Sequence, residues 1–180
     1  AVAERAVLDL SDLFRAALGA GEGDSTLEEE VALAERYLAI EQLRLGDRLR
    51  VEWDRREPLP WDIALPRLVL QPLVENAVLH GISRLPAGGT VEVALDVEGG
   101  TLRVVVRNPA PPPAAPGRPA RRAGDGAGHA LRSVGHRLAY LYGDAARMAG
   151  GWSEGYYRVE VCLPVGPARG PAAEAGGRTG

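Results

Sequence analysis

The sequence predicts an α+β two-layer sandwich, with one layer of strands and one of helices. Its 180 residues are 46% hydrophobic, enough to bury one full core. Residues 91–97 and 102–106 alternate apolar and polar side chains on either side of Gly99-Gly100, the pattern of a β-hairpin. Helical segments flank this hairpin, and helices and strands do not alternate strictly. These observations favour antiparallel strands packed against helices.

Apolar residues at helical spacing predict four helices. They cover 2–18, the stretch from Ser25 or Thr26 to about Leu45, residues 65–81, and a segment from about His129 to Gly143. A capping box with Glu28 or Glu29 can begin the second helix. Pro72 has no amide hydrogen, so the regular part of the third helix either begins near Gln71 or bends there.

Three further strands are predicted at 49–53, 145–152 and 157–163. Residues 109–127 are rich in Pro, Ala, Gly and Arg without periodicity, which is typical of a loop. We divide the chain into a helical end at 1–20, a globular domain at 21–164 and a tail at 165–180. The tail is expected to be disordered.

Composition excludes several classes of function. All 21 basic residues are arginine, so the chain lacks the lysine of a Walker A loop or a Schiff-base enzyme. A net charge of -3, with arginines scattered among 24 acids, disfavours a nucleic-acid partner. Cys162 is the single cysteine, which rules out an internal disulfide and a zinc-thiolate site. No stretch approaches the roughly 20 apolar residues of a membrane span, and Ala1 is typical of a cut inside a longer protein.

The predicted helix over 65–81 carries the strongest functional pattern. Asn76 and His80, four residues apart, stack on one ridge, and Glu75 lies beside them. Polar groups at the edge of a buried helix need partners, and a bound ion or phosphate is one way to supply them. The alternative is a core helix whose polar side chains hydrogen-bond the backbone, with Gly81 as its C-cap.

A second candidate site is the glycine-rich run from Gly124 to Gly128, before the helix predicted to start near His129. Glycines expose amide hydrogens, and a helix N-terminus carries about half a positive charge, so an anion fits there. Such loops are common, so the run alone does not establish a phosphate site. The arginines of 118–122 belong either to a solvated loop or to a mobile lid that meets phosphates.

The segment 65–82 resembles the N-box of LytS-type sensor histidine kinases. Residues 28–49 resemble the segment that leads into that box, and 126–138 resemble the family's second glycine box and following helix. The similarity covers about residues 1–164. It implies the Bergerat (GHKL) ATP-binding fold of histidine kinases, Hsp90, gyrase B and MutL, a mixed and mostly antiparallel sheet with helices on one face. Residues 1–20 would then end the phosphoacceptor and dimerisation helices.

The resemblance implies ATP and Mg²⁺ as ligands. Asn76 would coordinate Mg²⁺ through its amide oxygen, while waters and phosphates fill the other positions. Glu75 would orient water or act as an acid or base in catalysis, or else support the site from behind. His80 would face the terminal phosphates, or else only end the helix. The residues that would bind phosphate through the second glycine box are Gly124, Gly126, Gly128 and His129.

Two departures from the family's pattern stand out. Most members have an Asp-Asn-Gly box that reads adenine, whereas this chain has Asn108-Pro109, which lacks the carboxylate. Asn108 offers an amide oxygen instead, and Pro109 removes a donor. This variant and residues 9–18 resemble the alginate-regulatory (AlgZ/FimS-like) subset. The phosphoacceptor box Pro-His-Phe-Leu-Phe-Asn is absent, so the chain is expected to bind nucleotide without phosphorylating itself.

The sequence therefore predicts the MgATP-binding catalytic domain of a two-component sensor histidine kinase, a transferase. The intact protein would pass the γ-phosphoryl group to a histidine upstream of Ala1 and then to a response regulator, expected to be of the LytTR type. It would dimerise through its own phosphoacceptor domain and be anchored in the bacterial inner membrane, with this domain in the cytoplasm. The alternative is a degenerate regulatory module that signals through protein contacts. An ATPase of the MutL kind is disfavoured because its catalytic Glu would fall at Pro72.

Overall fold

A computed structural model describes residues 24–112 and 126–166, with only the backbone of 126–129. The predicted helix over 2–18, Gly124, the arginines of 118–122 and most of the predicted tail lie outside these described residues. The helices and strands, in chain order, are β1 (Asp24–Thr26), α1 (Leu27–Leu45), β2 (Leu49–Arg55), β3 (Ala64–Pro66), α2 (Leu70–Asn76), β4 (Gly89–Glu98), β5 (Thr101–Pro109), α3 (Gly126–Tyr142), β6 (Arg147–Ser153) and β7 (Tyr156–Pro164).

Five strands form one mixed sheet in the order β2-β4-β5-β7-β6. Strand β2 pairs in parallel with β4, and the other neighbours are antiparallel. The predicted hairpin is β4 and β5, joined by Gly99-Gly100 between the paired residues Glu98 and Thr101. Both glycines have positive φ, 58° and 75°, which is the backbone that a two-residue hairpin turn of matching twist requires.

The helices cover one face of this sheet. Alternate residues of β4, β5 and β7 are buried against them. These inward-facing residues are Val91, Val93, Leu95, Leu102, Val104, Val106, Val159, Val161 and Leu163. The opposite face carries charged pairs between neighbouring strands, such as Arg107 with Glu92 and Arg103 with Glu160. The sheet thus has one apolar and one charged face, as in a two-layer sandwich.

Helix α1 begins where the capping pattern predicts. Thr26 is the N-cap, its hydroxyl accepts from the Glu29 amide, and the Glu29 carboxylate accepts from the Thr26 amide. The hydrogen bond from the Thr26 amide, together with one from the Ser25 hydroxyl, lowers the pKa of Glu29. Of the alternatives that the sequence leaves open, the structure selects Thr26 and Glu29.

Helix α2 begins at Leu70, next to Gln71, where the sequence analysis places one of two alternatives for the start of its regular part. Residues 64–66, predicted as helix, instead form β3 and pair with β1. The extended backbone that a proline favours in the residue before it suits this short strand. Helix α3 begins at Gly126, three residues before His129.

None of the helices in 24–112 and 126–166 is long and apolar enough to cross a lipid bilayer.

Candidate functional site

The N-terminus of α2 is held by a buried carboxylate from α1. Glu30 is 2% exposed, and its two oxygens accept hydrogen bonds from the amides of Leu68, Val69 and Leu70 at 2.7, 2.8 and 3.0 Å. A helix leaves its first amides without backbone partners, and a negative charge there also complements the helix dipole. Glu30 therefore fixes the end from which the Asn76-bearing helix runs.

Beyond Asn76 the chain continues in two further helical turns. Residues 77–81 form a wider π turn, and residues 82–84 a tighter 3₁₀ turn. Gly81 has φ -101°, not the positive φ of a C-cap glycine. The alternative interpretation of Gly81 as a helix stop is therefore wrong. Widened turns of this kind are frequent at functional sites.

Gly81 lies directly against the end of β5. A Cβ atom on residue 81 would overlap Nδ2 of Asn108 and lie 2.9 Å from the Pro109 carbonyl oxygen and 3.0 Å from Asn108 Cγ. The absence of a side chain at this position lets the helix and the strand end meet. Two sites that are 27 residues apart in the sequence are thus brought together.

The orientation of the Asn108 amide is determined by its neighbour. Asn108 is 2% exposed, and its Nδ2 donates to the Pro109 carbonyl oxygen at 2.9 Å. A carbonyl can only accept, so the amide nitrogen must face Pro109, and Oδ1 points the other way. The donor Nδ2 therefore lies beside Gly81, and the acceptor Oδ1 is directed away from the Pro109 carbonyl.

Asn76 is the last α-helical residue of α2 and is half-buried. Its side-chain amide makes no hydrogen bond within the described residues 24–112 and 126–166. The same described residues hold no group of three or more His, Cys, Asp or Glu side chains that could bind a metal by themselves. One amide oxygen fits Mg²⁺ only if phosphates and waters supply the other ligands, which is how Mg²⁺ commonly binds with nucleotides.

His80 follows Asn76 by one turn and is also half-buried. Its Nδ1 lies 3.0 Å from Nη2 of Arg84. A guanidinium can only donate, so Nδ1 accepts and the proton of the neutral ring is on Nε2. Burial lowers the pKa of His80, and the positive charge of Arg84 lowers it further. A neutral ring that donates from Nε2 is therefore the favoured form near neutral pH.

Glu75 is directed into the protein and is 5% exposed. Its Oε1 accepts from Nε2 of Gln71, one turn earlier, at 2.8 Å. The sequence suggests two roles for Glu75, direct action in catalysis or support of the site from behind. This burial favours support, because Asn76 and His80 are more exposed than Glu75.

The N-terminus of α3 includes part of the glycine-rich run. Gly126 and Gly128 lie in its first turn, not in a loop before it. The amides of a first turn have no helical partners, so they are free to meet an anion. Helix α3 packs against α2. Gly124 and the His129 side chain lie outside the described structure.

Sequence reasoning missed the residues that support this site. Neither Glu30 nor Arg137 is among the site residues that the sequence predicts. Arg137 in fact donates from Nη2 to the Leu68 carbonyl at 2.8 Å, in the turn before α2. A glutamate on the buried face of an amphipathic helix was the one available signal.

Comparisons with known proteins show which chains this sequence resembles. A family model described as "Histidine kinase" matches residues 1–49. The chain is 28% identical over 153 residues to the sensor histidine kinase/phosphatase LytS of Staphylococcus aureus. This alignment covers 81% of this chain and 26% of LytS. It spans between 14% and 26% of the lengths of the first curated relatives that it matches.

Solved structures share the fold. The catalytic domain of the histidine kinase ThkA aligns with a TM-score of 0.56 and 16% identity, over 79% of this chain and 95% of that domain. Full-length ShkA, solved with AMPPNP, aligns with a TM-score of 0.56 and 22% identity, over 83% of this chain and 32% of ShkA. The mixed sheet with helices on one face is thus the fold of histidine kinase catalytic domains, as predicted.

Proposed function

Because this chain is a homologue of the LytS-type sensor histidine kinases and has the fold of histidine kinase catalytic domains, we propose that residues 21–164 are the MgATP-binding catalytic domain of such a kinase. The supporting observation is the position of Asn76. Its half-buried amide is not engaged within the described residues and lies one turn from His80, on the helix whose end contacts Asn108. The solved complex of ShkA with an ATP analogue supports ATP as the ligand of this fold.

The adenine end of the site is built on Asn108. Its Oδ1 would accept a hydrogen bond from the adenine amino group, in place of the carboxylate that most of the family uses. The bond from Nδ2 to Pro109 directs this oxygen away from the Pro109 carbonyl. A neutral acceptor at a nearly buried position also avoids the desolvation cost of a carboxylate.

The phosphate end lies between α2 and α3. Asn76 would hold Mg²⁺, which when bound would neutralise phosphate charge, and His80 would donate to a phosphate oxygen from Nε2. The free amides at the start of α3 would meet the phosphates, and Gly124, Gly126, Gly128 and His129 would form this part of the site. Glu75 would support the ridge from within.

The activity of the whole protein is also a proposal. The γ-phosphoryl group of ATP would be transferred to a histidine upstream of Ala1, and from there to a response regulator of the LytTR type. Residues 1–20 would end the phosphoacceptor and dimerisation helices, and 165–180 would be a tail. The intact kinase would be a homodimer in the bacterial inner membrane, with this domain in the cytoplasm.

A calorimetric titration tests the proposal. The chain is expected to bind MgATP, and Asn76→Ala to lose most of this binding. The matched control is the same titration with ATP and EDTA. Since Asn76 acts through the metal, the variant and the unaltered chain should then bind alike. No binding at millimolar MgATP by a folded sample would overturn the proposal and support the degenerate regulatory module.

A further inference from the structure

We propose that Arg137 is a positioning residue for the phosphate end of the site, which it serves by fixing α3 against the turn that precedes α2. This inference rests on the proposed function, because it concerns how α2 and α3, the two sides of the proposed phosphate site, are held in position relative to each other. The contact is the hydrogen bond from Arg137 Nη2 to the Leu68 carbonyl oxygen, 2.8 Å long.

The turn at Leu68, to which Arg137 donates, has a strained backbone. Leu68 has φ +58°, a left-handed conformation that is rare and costly for a residue with a branched side chain. Such conformations persist only where the surroundings hold them. Here the Leu68 amide donates to Glu30 Oε1 at 2.7 Å, and the Leu68 carbonyl accepts from Arg137. A carboxylate and a guanidinium thus hold the two sides of one peptide turn.

Arg137 supplies a donor that the local backbone cannot. In a helix the Leu68 carbonyl would accept from the amide four residues later, but that residue is Pro72, which has no amide hydrogen. The half-buried guanidinium takes that place. Burial lowers the pKa of Arg137, whereas the nearby Glu30 charge raises it. Its Nε is buried with no partner in the described structure. The guanidinium therefore loses hydration at Nε in the position from which Nη2 reaches the Leu68 carbonyl.

No other described side chain of α3 ties the helix in this way. Within 130–142, Arg137 alone hydrogen-bonds to another element. The neighbouring Val134 and Leu138 are buried and hold the helix to the core by apolar contact, which is not directional. Arg137 therefore sets the position of α3 relative to α2, while its neighbours supply packing.

This geometry separates the two ends of the proposed ligand. The phosphate-binding amides lie at the start of α3, eleven residues and about 16 Å of helix from Arg137. The proposed adenine acceptor lies on β5, to which Arg137 makes no hydrogen bond in the described structure. Loss of the Arg137 contact should therefore shift the phosphate groups of the site and leave adenine recognition unchanged. General destabilisation would weaken both.

Titrations with MgATP and with adenosine, followed by NMR, test this separation. Arg137→Met is expected to weaken MgATP about tenfold, a change of about 1.4 kcal/mol, and adenosine less than about twofold. Arg132→Met is the matched control, because Arg132 is exposed on the same helix and makes no hydrogen bond in the described structure. Unchanged MgATP affinity in Arg137→Met, or equal losses for both ligands, would overturn the inference. If Arg137→Met does not fold, Arg137→Gln is measured by the same criteria, since its amide is too short to reach Leu68.

Amide hydrogen exchange gives a readout that needs no nucleotide. The Arg137 variant should exchange at least about tenfold faster over 126–136, with no change over 102–106 in β5. Equal exchange in the variant and the unaltered chain would overturn the inference. If the unaltered chain fails to bind MgATP, the proposed function fails, and exchange alone decides whether Arg137 positions α3.

Discussion

Gly81 and Asn108 are in contact, although Gly81 lies in the π turn that follows α2 and Asn108 is the next-to-last residue of β5. A side chain on Gly81 would overlap the Asn108 amide. The same amide donates to Pro109, which directs its oxygen away from that carbonyl. The position of the proposed adenine acceptor thus depends on a glycine in the segment that carries the proposed Mg²⁺ ligand.

Gly81→Ala is expected to destabilise the domain by about 1–3 kcal/mol, because a methyl group must displace the buried Asn108 amide. It should also weaken adenosine binding. Urea denaturation and an NMR titration measure the two effects. The matched control is Gly151→Ala on β6, where a Cβ has no neighbour within 4 Å. Equal stability of the two variants would contradict the contact.

Asn108→Asp restores the carboxylate of the wider family and is nevertheless expected to be harmful. One carboxylate oxygen would face the Pro109 carbonyl oxygen at a position that is 2% exposed. The loss of a hydrogen bond and the burial of a charge should lower the free energy of unfolding by about 1–3 kcal/mol. Urea denaturation at pH 7 measures this, with Asn108→Ala as the neutral control. An aspartate variant that is stable and binds adenosine more tightly would disprove the orientation of the amide.

His80 should make stability depend on pH. Burial and then the Arg84 charge lower its pKa in the folded state, so the unfolded chain binds more protons just below the unfolded pKa of about 6.5. The contribution of His80 is complete above that value and is lost as pH falls toward the folded pKa. The free energy of unfolding measured from pH 8 to 5 should fall less steeply in His80→Gln. Identical pH profiles would refute the shift.

Arg84→Gln separates the two causes of this shift. It removes the positive charge and leaves the burial of His80. An NMR titration of the His80 ring should therefore give a pKa higher than in the unaltered chain but still below 6.5. A ring that titrates as in the unaltered chain would show that Arg84 has no electrostatic effect on it.

Glu75→Gln should be mild and Glu75→Ala severe. The glutamine retains an oxygen that can accept from Gln71, whereas the alanine leaves the buried Gln71 amide without this acceptor, at a cost of about 1–3 kcal/mol. MgATP affinity should change by less than about threefold in Glu75→Gln. Calorimetry and urea denaturation measure these effects. A glutamine variant as stable as the unaltered chain but as defective in MgATP binding as Asn76→Ala would instead favour direct contact with the ligand.

Most of the fold was predictable because its signals are local. The Gly99-Gly100 turn, the alternation of β4 and β5, and the Thr26 capping pattern each act within a few residues. The two-stranded sheet of β1 and β3 was not predicted. Strands of three residues show no periodicity in the sequence, and these two form only because they pair with each other. For the same reason residues 65–66 were included in the predicted helical segment, whereas the alternative start near Gln71, suggested by Pro72, agrees with the observed Leu70.

The sequence by itself determined which chemical groups the site contains. It put Asn76 and His80 on one ridge, because helical spacing is a property of the backbone. It also identified Asn108-Pro109 as a departure from the family's pattern. Only the tertiary structure decided how these groups are oriented. The contact of Gly81 with Asn108, the capping of α2 by Glu30 and the bond from Arg137 to Leu68 join residues 27 to 69 positions apart. Such contacts depend on packing between elements, which no local pattern encodes.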